Sequence, residues 1–292
     1  MGNVIVSSIT RTPVAQGGGV WGGLGAGTAP PASTMTRIVS PEYTFTDDFE
    51  GTQDGSFWGG GEKTTYGDSS ADPANTGSVL SINYNAALAG SDSWAEKRFV
   101  FPDSVQVEMS YRVFVPANFT HRDDSPGNNK LFALWSGTYG VSTSNISVLS
   151  EYNRATVSPV GSYPDLYIGE DGNNYGHSGF FDQSGDRVFL ESEGAWHDFG
   201  VYIELAGQEG GYGTAEIWRD GTLILSNKWP LDIQADAGGV PSSQHLAYST
   251  RGNFLNQGYL MGWANSGFLD ATDFEIDNFS LKTRTSSIGA TY

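Results

Sequence analysis

The alternation of apolar and polar positions that organises the chain lies within residues 196–229. Phe199, Val201, Ile203 and Leu205 alternate with Gly200, Tyr202 and Glu204, the period-two pattern of a strand with one buried face. A Gly-rich break at 207–213 follows, then Ala215, Ile217 and Arg219 alternate with Glu216 and Trp218, and Asp220-Gly221 precedes the apolar run 223–225. Asp-Gly between two apolar runs predicts a type I′ hairpin, because both central residues of that turn need positive φ. Three consecutive antiparallel strands are therefore expected.

The same reading runs along the rest of the chain. Residues 43–50 alternate aromatic and polar side chains and predict a first strand. The stretch 51–75 reads as a polar excursion whose Phe57, Trp58 and Tyr66 pin it to the core. Strands are predicted at 78–84, 94–101 and 104–115. In the last, Val105, Val107, Met109, Tyr111, Val113 and Val115 face the core, and Gln106, Glu108, Ser110, Arg112 and Phe114 the other side. A polar loop at 118–129 leads to strands at 130–135, 146–151, 155–159 and 163–168. A second polar loop spans 170–186, and a Gly/Ser/Gln-rich connection at 236–256 precedes strands at 259–263 and 273–282. The absence of a fixed-period repeat disfavours propellers and solenoids.

A Trp opening a long strand, a Gly-rich turn, a strand ending in Trp218-Arg219-Asp220-Gly221 and a short apolar return strand resemble the concanavalin A-like lectin/glucanase superfamily. The segment from Phe274 to Leu281 resembles the closing strand of that fold. The runs Tyr111-Arg112-Val113-Phe114-Val115-Pro116 and Lys130-Leu131-Phe132-Ala133-Leu134-Trp135 resemble core strands of polysaccharide lyases in the same superfamily. The resemblance covers residues 43–283. It implies an all-β, two-sheet antiparallel jelly-roll sandwich over 41–284, behind an extended Gly-rich N-terminal arm at 1–40 and ahead of a C-terminal tail at 285–292.

Composition sharpens this picture. The 292 residues are 38% hydrophobic and 13% aromatic, with 39 Gly and 12 Pro, which suits many short strands and tight turns around one sizeable core. Fifteen basic against 33 acidic residues give −18, which repels phosphate backbones and anionic membrane surfaces but suits calcium. Zero Cys excludes disulfides, thiolate catalysis and Cys-bound zinc. The first residues lack the basic and apolar regions of a secretory signal, and Val6 stands where myristoylation wants Ser or Thr. No run reaches the roughly 18 apolar residues of a membrane span. Residues 16–32 are too poor in side-chain area to form a core, so ordering them calls for a partner surface.

Candidate chemistry falls into five groups. Glu275-Ile276-Asp277 is similar to the E-x-D-x-x-E strand of laminarinase-type glycosidases, whose retaining mechanism needs two carboxylates about 5–5.5 Å apart. Ser280 occupies the place of the second Glu, and Asp273 lies upstream. A polysaccharide lyase needs a base for the C5 proton of a uronate and a cation or amide for its carboxylate. Arg112, Lys130, Tyr152, Tyr167 and Tyr202 sit at strand positions that suit those roles, but the R-x-E-x-R and Q-I-H segments of alginate lyases are missing. The histidines, at 121, 177, 197 and 245, lack metal-site spacing, and His197 reads as structural. Asp171 and Asn173, and Asp123-Asp124 with Asn128-Asn129, offer oxygen ligands for calcium without completing a calcium loop. Saccharide binding asks for aromatic platforms and hydrogen-bonding side chains, and Arg112, Lys130, Trp135, Tyr139, Tyr167, Tyr202 and Trp218 supply them.

The incomplete catalytic signatures and the unusual arm together point to a non-enzymatic decoration or adhesion protein, held on a larger, virion-like assembly by its arm. Its jelly-roll surface would bind carbohydrate, and it would reside on a virion surface or outside the cell. A polysaccharide lyase or glycoside hydrolase and a free carbohydrate-binding module are the alternatives. No cofactor other than calcium is expected, and neither nucleic acid nor membrane is an expected partner.

Overall fold

The computed structural model describes residues 36–69, 77–87, 93–121, 128–137, 146–155, 158–170, 173–178, 186–205, 214–228, 233–234, 254–265 and 267–285. These residues contain no helix and form two antiparallel sheets. An eight-stranded sheet runs in the order β14 (Thr222–Lys228), β13 (Thr214–Arg219), β12 (Ala195–Glu204), β6 (Gln106–Val115), β17 (Thr272–Arg284), β4 (Ser78–Tyr84) and β3 (Thr64–Asp68), with β1 (Tyr43–Asp47) also paired to β17. A nine-stranded sheet runs β15 (Ile233–Gln234), β10 (Asn173–Ser178), β9 (Gly161–Glu170), β8 (Ile146–Ala155), β7 (Asn128–Trp135), β16 (Leu255–Ala264), β5 (Ser93–Ser104) and β2 (Trp58–Glu62), with β11 (Phe189–Leu190) on β9. The all-β, two-sheet jelly-roll sandwich that the resemblance implies is the architecture observed.

One core face of each sheet meets the other. On β6 the core residues are Val107, Met109, Tyr111, Val113 and Val115, as their period requires. They pack with Phe199, Val201 and Ile203 from β12 and with Phe99, Phe132, Leu134 and Leu260 from the nine-stranded sheet. Phe279 is the hub of this layer. Its ring lies 5.0 Å from Trp58, 5.7 Å from both Phe57 and Phe99, 6.3 Å from Phe45 and 6.4 Å from Tyr111. A bulge between Asp277 and Ser280, with Asn278 at φ 51°, delivers that ring inward. A second knot joins Phe274 to Phe119, Phe189 and Phe268. A hydrogen-bonded stitch also crosses the sandwich, where the Tyr84 hydroxyl donates to the Gly262 carbonyl at 2.7 Å and accepts from the Gly262 N–H at 3.0 Å. Met261 and Gly262 take positive φ there and leave the β16–β7 ladder, so the tyrosine satisfies backbone groups that the ladder does not.

Three local expectations change. The excursion at 51–75 contains β2 and β3; WGGGE has three glycines, and TTYGD has Tyr66 as its one large apolar residue, so neither shows a strand period. Phe57 and Trp58 are buried, as pinning residues should be. The separate strands expected at 146–151 and 155–159 begin as the single β8, and the polar loop at 170–186 includes β10. The predicted hairpin is present, with Asp220 at φ 50° and Gly221 at φ 75° between paired Arg219 and Thr222.

Polar side chains lock that hairpin to the sheet. Asp220 Oδ1 accepts the Asp198 N–H at 3.0 Å, and Oδ2 lies 2.7 Å from His197 Nδ1. His197 Nε2 lies 3.0 Å from Glu193, and Arg219 donates to the same carboxylate at 2.6 Å. His197 is thus held structurally, as the sequence suggested. Burial works to raise the Glu193 carboxyl, but the His197 hydrogen bond, the charges of Arg219 and His197 and the Leu190 N–H outweigh it and hold the group below its ordinary value of 4.5.

Two outcomes follow from this packing. Phe279→Ala should cost about 3–5 kcal/mol, read as a lower denaturant midpoint with unchanged slope. Glu193→Gln should be less stable than the parent above pH 4.5, with the gap closing as pH falls through the lowered value of the folded protein. Denaturant titrations at several pH values read that convergence, and a constant gap down to strongly acid pH would contradict it.

Candidate functional site

The sandwich leaves two outer faces, and both carry polar clusters. On the nine-stranded sheet, strand alternation that sends Phe99, Phe132, Leu134, Val148 and Leu260 to the core sends Arg98, Ala133, Trp135, Leu149 and Tyr259 outward. Register aligns Arg98, Tyr259, Ala133, Leu149 and Tyr167 in one row across five strands. Ala133, Trp135, Leu149 and Tyr259 form a buried apolar cluster separate from the core, with the Trp135 and Tyr259 rings 5.5 Å apart.

Charges border this cluster. A register shift between Lys130 and Phe132 sends both Leu131 and Phe132 into the core and leaves Lys130 ion-paired with buried Glu151 on β8. On β5, buried Glu96 accepts from Arg98 Nε at 2.5 Å and from Trp94 Nε1 at 2.9 Å. Trp94 in turn stacks on Trp263 at 5.0 Å with a 6° interplanar angle, and Trp263 is 39% exposed. Buried carboxylates are costly unless compensated, and here each has a cation beside it.

The outer face of the eight-stranded sheet is built in rows. Asp198, Arg112 and Asp277 align on β12, β6 and β17. Two residues along lie Trp218, Gly200, Ser110 and Ser280, and two further on lie Glu216, Tyr202, Glu108 and Lys282. Arg112 Nε lies 3.6 Å from Asp198, its Nη1 lies 3.9 Å from Asp277, and its guanidinium sits 4.9 Å from the Trp196 ring centre. Burial pushes both aspartates above the ordinary carboxyl value, and Arg112 only partly offsets it. Burial likewise raises the Tyr202 hydroxyl, which donates to Glu204 at 2.9 Å.

The carboxylates of the last row are covered by the chain that leads into the sandwich. The N–H groups of Arg37 and Ile38 donate to Glu108 Oε2 at 2.6 and 2.7 Å, while Lys282 donates to Oε1 at 2.8 Å. The Arg37 guanidinium grips Glu216 through two bonds of 2.8 and 2.7 Å and lies over Trp218. This strap buries Glu108 and Glu216 on a face that alternation alone leaves to solvent.

The seven residues singled out for saccharide binding therefore divide. Arg112, Tyr202 and Trp218 share the eight-stranded outer face. Lys130 and Trp135 share the nine-stranded one, where Tyr167 occupies a register position in β9. Tyr139 and Asp171 lie outside the described residues, as do Asp123, Asp124 and His245. Asn173 and His177 lie in β10, with their side chains outside the described set. Among the described residues no three His, Cys, Asp or Glu side chains converge as a metal site. Tyr152, considered for base catalysis, belongs to the core side, where burial drives its hydroxyl far up. His121 is interior too, its Nδ1 2.9 Å from Ser162 Oγ. Of the glycosidase-like carboxylates, Glu275 is buried and accepts from Ser69 at 2.5 Å, and Asp277 faces Arg112.

Arg98, Glu96, Trp94, Glu151, Tyr259 and Trp263 were not singled out beforehand. The one-face alternation of Trp94, Glu96 and Arg98 was available as a signal. The pairing of Lys130 with Glu151 depends on strand register.

No family model and no curated protein matches the chain. Among solved structures, the alginate lyase vAL-1 from Chlorella virus is similar at a TM-score of 0.53 with 14% identity, covering 79% of this chain and 94% of its own. An endo-β-1,4-glucuronan lyase from the fungus Trichoderma reesei aligns at TM-score 0.47 with 11% identity, covering 84% of this chain and 96% of its own. The winged bean acidic lectin, complexed with methyl-α-D-galactose, aligns at 0.44 with 12% identity, covering 84% and 100%. At such identity the viral enzyme shows a shared fold alone, the two-sheet antiparallel jelly-roll sandwich described above.

Proposed function

We propose that the protein binds saccharide through the outer face of its nine-stranded sheet, and that its N-terminal arm holds it on a larger assembly. The observation that carries the reading is the Trp94–Trp263 stack, its outer indole 39% exposed beside the Glu96–Arg98 pair. An indole face takes the apolar face of a sugar ring, and flanking charged groups bond its hydroxyls. The strap at Arg37 and Ile38 supports the second half, because it ties the chain to the sheet on the far side of the sandwich. Arg37 and Ile38 lie on the eight-stranded side, and Trp263 lies on the other sheet. A non-catalytic role is favoured because the described cations on this face already face carboxylates, Arg98 with Glu96 and Lys130 with Glu151.

A polysaccharide lyase is the second reading. Arg98 and Tyr259 are register neighbours on the same face, which brings a guanidinium that could neutralise a uronate near a phenol that could move a proton.

Trp263→Ala should weaken retention in polysaccharide affinity gels about tenfold, and unchanged retention would remove the platform from the reading. Deleting residues 1–35 should leave a folded domain that no longer incorporates into its assembly. Growth of the ultraviolet absorbance of unsaturated uronate on incubation with polyuronates, lost in Tyr259→Phe, would replace the non-catalytic reading by the lyase.

A further inference from the structure

We propose that the outer face of the eight-stranded sheet carries a second saccharide subsite, centred on Arg112 and selective for neutral sugars. The floor is the row Gly200, Ser110 and Ser280, three small residues aligned across β12, β6 and β17. Large side chains stand on both sides of it. Asp198, Arg112 and Asp277 form one wall, backed by Trp196. Tyr202, Glu108 and Lys282 form the other, with the Arg37 strap over Trp218 at its end. The walls are four residues apart along β12 and β6, and five along the bulged β17, about 13 Å, wide enough for a pyranose ring.

The chemistry of the wall residues points to the ligand. Arg112 is only 15% exposed, its Nε is buried without a hydrogen-bond partner, and its nearest carboxylate contacts, 3.6 and 3.9 Å, are longer than hydrogen bonds. Asp198 and Asp277 stand at its two sides as acceptors. Asp277 also accepts the Asn278 N–H at 2.7 Å and the Asn278 side-chain amide at 2.9 Å, which leaves each of its oxygens room for a further donor. A guanidinium held between two carboxylates beyond hydrogen-bond length suits vicinal hydroxyls, which donate to the acids and accept from the cation at once. The indoles of Trp196 and Trp218 add apolar walls for the C–H faces of a ring. Charge sets the selectivity. Glu108 is offset by Lys282 and Glu216 by Arg37, whereas Arg112 meets two aspartates, so the subsite is net negative and a uronate or sulfated sugar would be repelled.

The test uses the full chain carrying Trp263→Ala, which silences the nine-stranded face, in native affinity gels cast with soluble β-glucan, galactan, mannan or a polyuronate. Residual retardation by at least one neutral polymer and none by the polyuronate is expected. Adding Arg112→Lys, which keeps the charge but loses the planar donor fork, should reduce that residual affinity about tenfold. Ser110→Tyr, which fills the floor without touching the ion pairs, should do the same, with circular dichroism confirming the fold of each variant. The proposal is overturned if the Trp263→Ala protein is retarded by no neutral polymer, if it prefers the polyuronate, or if folded Arg112→Lys and Ser110→Tyr variants migrate as it does. If the parent is retarded and Trp263→Ala changes nothing while Arg112→Lys abolishes binding, the nine-stranded reading fails and this one stands.

Discussion

The aromatic layer between the sheets is the constraint from which the rest of the structure follows. Phe279, Phe99, Phe57, Trp58 and Tyr111 meet from four strands and the turn before β2, within a few ångströms of one another. Aromatic rings bury large apolar areas and tolerate only a few mutual geometries, so this contact sets the separation of the sheets and the phase of every strand that contributes to it. Once Val107, Met109 and Tyr111 face inward, Glu108, Ser110 and Arg112 must face outward, and a slip of one residue would exchange the two sets.

That phase creates a second problem, which the outer faces solve. Glu96, Glu108, Glu151, Glu216 and Glu275 are all strand residues on outer faces, yet all are buried. An ionised carboxylate withdrawn from water needs donors. Arg98 and Trp94 serve Glu96, Lys130 serves Glu151, Ser69 serves Glu275, and the strap with Lys282 serves Glu108 and Glu216. In a chain with a net charge of −18 these few cations are spent on internal compensation. Among the described residues the outer faces are polar and aromatic, and the cations that serve these carboxylates are held against them.

The strap divides labour between the two sides. Backbone N–H groups of Arg37 and Ile38 bind Glu108 through geometry that does not depend on side-chain identity, while the Arg37 fork on Glu216 does. Arg37 and Ile38 thus belong to the eight-stranded side, and the exposed Trp263 belongs to the other.

The alternation of residues 104–115 and 199–205 and the Asp220-Gly221 turn determined strand, phase and hairpin by themselves, because period and turn conformation are local properties of the chain. The glycine-rich β2 and the short polar β3 escaped that reading, since their strand state comes from pairing with β5 and β4 rather than from a side-chain period of their own. The chemistry-bearing residues Arg112, Lys130, Trp135, Tyr202 and Trp218 were visible as types, but their division between two opposite faces was not. Which residues share a face is decided by sheet order and register, and those are contacts between segments far apart in sequence: Lys130 meets Glu151, Arg37 meets Glu216, and Arg112 lies between Asp198 and Asp277 only because the sandwich has closed.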